Sequence, residues 1–194
     1  MDTALLADPQ LYALLQRCDE DLAAAQRAAG CPRCRATLHW GSYPRKPRGV
    51  PRSWIVGDWR RLSLCCARRD CRQRATPPSM RFLGPKVYVG AVVVLVAALR
   101  CGPTPARCRL LEQWVGVSRH TIVRWRQWWT ETLIATPFWR AAAAALMPPV
   151  VIGQLPASLL ERFAGGPRDR LQALLRWLAP ITTGSAGSAA VLAP

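Results

Sequence analysis

Hydrophobic positions change period several times along the chain. Over residues 8–29, Leu11, Leu14, Leu15, Cys18 and Leu22 recur at steps of three and four. That spacing predicts one amphipathic helix, stopped by Gly30 and packed against the following module or a partner chain. Asp19, Glu20 and Asp21 form its acidic cluster, and Cys18 reads as a small core residue. The period then shortens. Residues 37–40, 54–56 and 61–65 are aromatic or β-branched patches broken by Gly-Ser, Pro-Arg and Gly-Asp, the pattern of short hairpins. Residues 87–99 are almost wholly apolar and end at Gly102 and Pro103. They predict a buried helix, or failing that a buried strand. Thirteen residues fall short of the roughly 20 that cross a bilayer as a helix.

Residues 105–130 return to helical spacing and fit a helix-turn-helix template. Leu111 and Val115 line the inner face of a first helix. Gly116 takes the turn, where a positive φ costs glycine least, and Val117 plugs the core. Ser118 caps the second helix, and Ile122, Trp125 and Trp129 face inward. Ser118, Arg119, His120, Thr121, Val123, Arg124 and Gln127 remain outside, and such groups meet base edges and phosphates in a major groove. Glu112 is unusual, because small residues suit a close helix crossing; pairing with Arg109 or Arg126 is its alternative. Trp114, Trp125, Trp128 and Trp129 divide between core and a docking surface. Residues 138–147, 155–163 and 169–178 predict three further helices, and small residues from 182 onward predict a disordered tail.

The cysteines change the picture between the first helix and the apolar run. Cys31-Pro32-Arg33-Cys34 is one short knuckle, and Cys66-Ala67-Arg68-Arg69-Asp70-Cys71 is a second. Two such knuckles supply the four soft ligands of a structural zinc ion, Cys31, Cys34, Cys66 and Cys71. Cys65 competes with Cys66, but strand alternation puts the two on opposite faces, and Cys66 closes the tighter loop to Cys71. His39 is a substitute ligand. Cys101 and Cys108 are too far apart for a second site. The expected fold class is α+β, mainly α: a small zinc-ribbon β module followed by an all-helical helix-turn-helix domain. The divisions are an N-terminal helix (1–30), the ribbon (31–80), the helix-turn-helix domain (81–136), C-terminal helices (137–181) and the tail (182–194).

The net charge is +16, from 27 Lys and Arg against 11 Asp and Glu. Residues 31–86 hold 14 of those cations and only Asp58 and Asp70 as acids, so most of the surplus lies on the cysteine-bearing stretch. Charge that dense calls for a polyanion, and arginine matches phosphate geometry. Within it, Arg45, Lys46, Arg48 and Arg52 alternate with prolines on an extended loop suited to a phosphate backbone. Eight cysteines with no signal-peptide pattern point to a reducing cytoplasm and away from a membrane.

Several runs carry a resemblance: Cys31-Pro32-Arg33-Cys34, Tyr43-Pro44-Arg45-Lys46-Pro47-Arg48-Gly49, Cys65-Cys66 through Cys71-Arg72, Pro77 to Gly84, Val117-Ser118-Arg119-His120-Thr121 and Leu155 to Leu160. Their order resembles the DNA-binding regions of bacterial insertion-sequence transposases, and is similar to small stand-alone transposase-related proteins. The resemblance implies a mobile-element setting, double-stranded DNA as a partner, and a separate transposase or a second copy beside it. It does not extend to a nuclease. Beyond Thr130 the acids are Glu131, Glu161 and Asp169, with no strand series to carry a three-carboxylate metal site. No phosphate-binding loop, hydrolase triad or zinc-protease motif is present, and two histidines leave little acid–base chemistry. The chain is therefore expected to bind rather than catalyse. It reads as a DNA-binding accessory protein, with a transcriptional regulator and a non-catalytic interaction scaffold as alternatives.

Overall fold

The computed structural model describes residues 3–6, 8–47, 49–51, 54, 59–83, 88–97 and 104–183. Helix α1 (Pro9–Ala29) starts where the sequence sets its signals. Asp8 caps it by accepting from the Gln10 backbone N–H at 2.8 Å, and Pro9 occupies the first turn. Gly30 ends it at φ 78°, a conformation that favours glycine. A Cβ there would meet the Arg35 carbonyl oxygen at 2.7 Å.

Short strands follow: β1 (Leu38–Trp40), β2 (Tyr43–Pro44), β3 (Arg60–Arg61), β4 (Leu64–Cys66) and β5 (Arg74–Ala75). β1, β4 and β5 form one antiparallel sheet in the order β1-β4-β5, while β2 pairs with β3. The register sets Leu38 opposite Cys66, His39 opposite Cys65, and Cys65 opposite Arg74. Of the patch at 54–56, Trp54 is buried, and Ile55 and Val56 lie outside the described residues.

The apolar run departs from expectation at its start. Strands β6 (Phe82–Leu83) and β7 (Tyr88–Val89) form a hairpin, and helix α2 spans Gly90–Ala97, while residues 98–103, with the expected stop at Gly102 and Pro103, lie outside the described residues. Gly90 permits a close approach: a Cβ would sit 3.1 Å from Leu175 and 3.3 Å from the Met80 carbonyl. Val92 to Val96 are all buried, so α2 has no polar face and runs through the centre of the core. Among the described residues no helix is long and apolar enough to cross a membrane.

Helix α3 (Pro105–Val115) is joined to α4 (Arg119–Gln127) by Gly116 at φ 64°, Val117 and Ser118. Leu111, Val115, Val117, Ile122, Trp125 and Trp129 are buried, and Glu112 is exposed rather than caught in a helix crossing. After α4 the backbone widens into a π-helical turn, Trp128–Thr132, with Leu133 N–H donating to the Trp128 carbonyl at 2.8 Å. Of the later helices, the first two are shorter than predicted and the last starts two residues earlier. α5 spans Pro137–Ala142 before a 3₁₀ turn, α6 spans Ala157–Leu160, and α7 spans Pro167–Leu178. Thr182, assigned from composition to the tail, is buried; residues 184–194 lie outside the described residues.

Two clusters of buried residues result. A large one draws on α1, Trp54, Met80, α2, α3, α4, Trp129 and α5 to α7. A small one holds Cys31, Leu38, Leu64, Cys66 and Ala75 beneath the three-stranded sheet. The architecture is α+β, mostly helical, with small antiparallel sheets.

Candidate functional site

The first knuckle is shaped by backbone bonds. Cys31 N–H donates to the Ala36 carbonyl at 2.9 Å, and Arg35 N–H to the Cys31 carbonyl at 2.8 Å. The second begins where β4 ends. Ala67 N–H donates to the Thr37 carbonyl at 3.0 Å, and Cys71 and Arg72 both donate to the Arg68 carbonyl. Each knuckle closes in the same way: the residue after its second cysteine, Arg35 or Arg72, has positive φ, 60° and 45°. Two non-glycine residues in that strained region are held there by the turns they complete.

The knuckles bring Cys31, Cys34, Cys66 and Cys71 together, with all four sulfurs within 4.8 Å of one another. Two of the separations cross between knuckles, Cys34 to Cys66 at 3.4 Å and Cys31 to Cys71 at 3.8 Å. A tetrahedron with metal–sulfur bonds of about 2.3 Å has edges of about 3.8 Å. The four thiols can therefore hold a metal ion and are compatible with zinc. Cys65 points away on the other face of β4, its sulfur 3.9 Å from the Arg72 carbonyl, so Cys66 is the third member. His39 is exposed, paired across the sheet with Cys65, and is not part of the cluster.

The four thiols are not equivalent. Burial pushes Cys31 up, but the backbone N–H groups of Cys34 and Arg33 turned toward its sulfur outweigh this and bring it down to about 7. Burial pushes the Cys66 thiol up to about 12. Cys71 is also raised: the Gln73 N–H lowers it, but burial and the thiols of Cys34 and Cys31 outweigh that. One lowered thiol, Cys31, beside two raised ones, Cys66 and Cys71, suits a site that a cation completes.

The second group of sequence-selected residues lies on α4. Ser118 caps the helix, its Oγ accepting from Thr121 N–H at 3.4 Å. Arg119, His120, Val123, Arg124 and Gln127 are exposed, Thr121 is half-buried, and Arg124 donates to Thr121 Oγ1 at 3.3 Å. Of the loop cations, Lys46 is exposed and Arg45 half-buried, while Arg48 and Arg52 lie outside the described residues. The loop is not free. Gly49 is buried at φ 72°, and a Cβ there would meet the Trp125 ring at 3.3 Å and Val117 at 3.4 Å. The basic loop is thus seated on the turn that presents α4.

A buried polar network, unread in the sequence, ties α1 to β3 and to residues 77–81. Asp19 accepts from Ser79 Oγ and Met80 N–H at 2.6 Å each and from Arg81 Nε at 2.9 Å. Arg81 reaches the Tyr12 hydroxyl and the Arg60 carbonyl, and Arg61 donates to the carbonyls of Pro77 and Thr182. The signal was present: Asp19 continues the Leu11, Leu15 step of four, so an acid lies on the apolar stripe and needs a buried cation.

No protein-family model matches this chain, and neither a curated protein nor a solved structure was found to match it.

Proposed function

We propose that the chain is a non-catalytic DNA-binding protein of the transposase-accessory kind, with a structural zinc ion in the Cys31, Cys34, Cys66 and Cys71 cluster. The zinc fixes the ribbon, whose basic loop follows a phosphate backbone, and α3 with α4 act as a helix-turn-helix that reads the major groove. One observation carries this reading: α4 buries Ile122 and Trp125 while exposing Arg119, His120, Val123, Arg124 and Gln127 beside a loop seated on its turn. A capped helix with a basic, hydrogen-bonding N-terminal half is what groove entry requires. Gly49 makes the loop and the helix parts of one surface.

Selection from a random duplex library, followed by anisotropy at rising salt, tests the proposal. A defined site should emerge, its binding should weaken steeply with salt, and R119A/R124A should reduce it at least tenfold. Salt-insensitive binding, or none, would sink the reading. The scaffold alternative draws on Leu110 and Trp114, one turn apart on α3 and 43% and 38% exposed. It predicts tight protein association that R119A/R124A leaves unchanged.

A further inference from the structure

Where β1 passes into β2, the chain runs Trp40-Gly41-Ser42-Tyr43, and four arginines from separate places in the fold close on these four residues. Arg27, in the last turn of α1, lies over the Trp40 ring at 5.8 Å. Arg60 of β3 donates to the Ser42 carbonyl at 3.5 Å. Arg45 lies over the Tyr43 ring at 4.8 Å and donates to its hydroxyl, and Arg74 of β5 lies over the same ring at 5.9 Å. Among the described residues none of these four arginines forms a salt bridge with an acid. Trp40 is 50% exposed and belongs to neither core cluster.

Fold stability accounts for part of this arrangement, since Arg27 Nε also donates to the Leu38 carbonyl at 3.3 Å, but not for the exposed ring. Leu38 and Leu64 already fill the sheet's inner face, and an indole half in water at the end of an edge strand adds little burial. Among the described residues these four cations have no acidic partner, and cations so placed favour an anion. An exposed aromatic ring interleaved with arginines combines two functions: the ring stacks on a base, and the guanidiniums hold the phosphates on either side. A duplex hides its base faces, so the ring needs an unpaired base.

We propose that this end of the sheet is a binding site for single-stranded nucleic acid, with Trp40 as the stacking platform and Arg27, Arg45, Arg60 and Arg74 as phosphate contacts. The site shares Arg45 with the basic loop but includes no residue of α4, so single-strand binding does not require α4.

The test uses the full metal-loaded chain and anisotropy with two probes, a labelled 15-nucleotide oligo-dT and a mixed-sequence duplex of equal length. W40A should weaken oligo-dT binding by about 5- to 150-fold, the span of one base–aromatic stack, and leave duplex affinity within about twofold. W40F, which keeps an aromatic face, should retain most of the binding. R119A/R124A should leave oligo-dT binding unchanged, whatever it does to the duplex. Trp40 lies outside both cores, so W40A should keep its metal content and circular dichroism. The proposal is overturned if wild type does not bind oligo-dT, if W40A binds it as wild type does, or if W40F loses as much as W40A. It is also overturned if W40A weakens both probes equally.

Discussion

The sheet module and the helical body differ in what holds them. The body buries residues from α1 to α7 around an α2 with no polar face. The module's core consists of five residues, Cys31, Leu38, Leu64, Cys66 and Ala75, two of them cysteines of the cluster. Burial on that scale does not offset the entropy of ordering two knuckles and three short strands. A metal cross-link would supply the difference, and four thiols within 4.8 Å could hold one. The same stretch carries most of the net positive charge, which destabilises it further. A core that holds itself can leave one helix face free for recognition, whereas one that cannot must be clamped before its surface has a shape.

The largest break in that comparison is loss of the clamp. C34S and C66S should each abolish binding of one zinc per chain. They should leave amides of β1, β4 and β5 unprotected in hydrogen exchange while α2 and α7 stay protected. Global loss of protection would make the two regions one cooperative unit. Protonation sharpens the same point. Cys66, pushed up to about 12, and Cys71, also raised, are protonated at neutral pH, and a metal takes thiolates. Zinc binding should release protons, and apparent affinity should rise with pH and fall on acidification. Titration in buffers of different ionisation enthalpy counts the protons; a count of zero would contradict a thiolate site.

Next comes the seam between the regions. Asp19 and Arg81 are a buried ion pair, and removing one partner strands the other's charge. D19A should cost about 3–5 kcal/mol in urea unfolding. It should loosen the large core and, through the Arg60 carbonyl, the β2–β3 pair. The second seam is smaller. G49A forces a Cβ against Trp125 at positive φ and should cost about 1–2 kcal/mol. It should also lower duplex affinity if loop and α4 act as one surface; unchanged affinity would separate them.

How much of this was legible follows from what is local. Period, caps and turn residues set α1, the α3–α4 pair and the cysteine knuckles, because each depends on neighbours within a few residues. Asp8, Gly30, Gly116 and Ser118 sit where their chemistry requires. The apolar run was legible as buried, but the start of α2 was not. Val89 has the same hydrophobicity in a hairpin as in a helix, and only the partner strand Phe82–Leu83 decides. The seating of Gly49 on Trp125 joins residues far apart in sequence, so no window contained it. The cluster around Trp40 draws on four elements, for the same reason.

The smallest predicted effect has the opposite sign. Arg35 and Arg72 each close a knuckle with positive φ, at about 1–2 kcal/mol of strain apiece. Glycine removes that strain but widens the unfolded ensemble, at about 0.5–1 kcal/mol. The strain outweighs the entropy, so R72G should stabilise the metal-loaded protein by about 0.5–1 kcal/mol, read as a shift in urea midpoint. Arg72 donates its backbone N–H to the Arg68 carbonyl, and glycine keeps that bond. A destabilised R72G would mean that the arginine side chain, not the turn, holds the second knuckle. The two knuckles would then differ in kind despite their matching backbones.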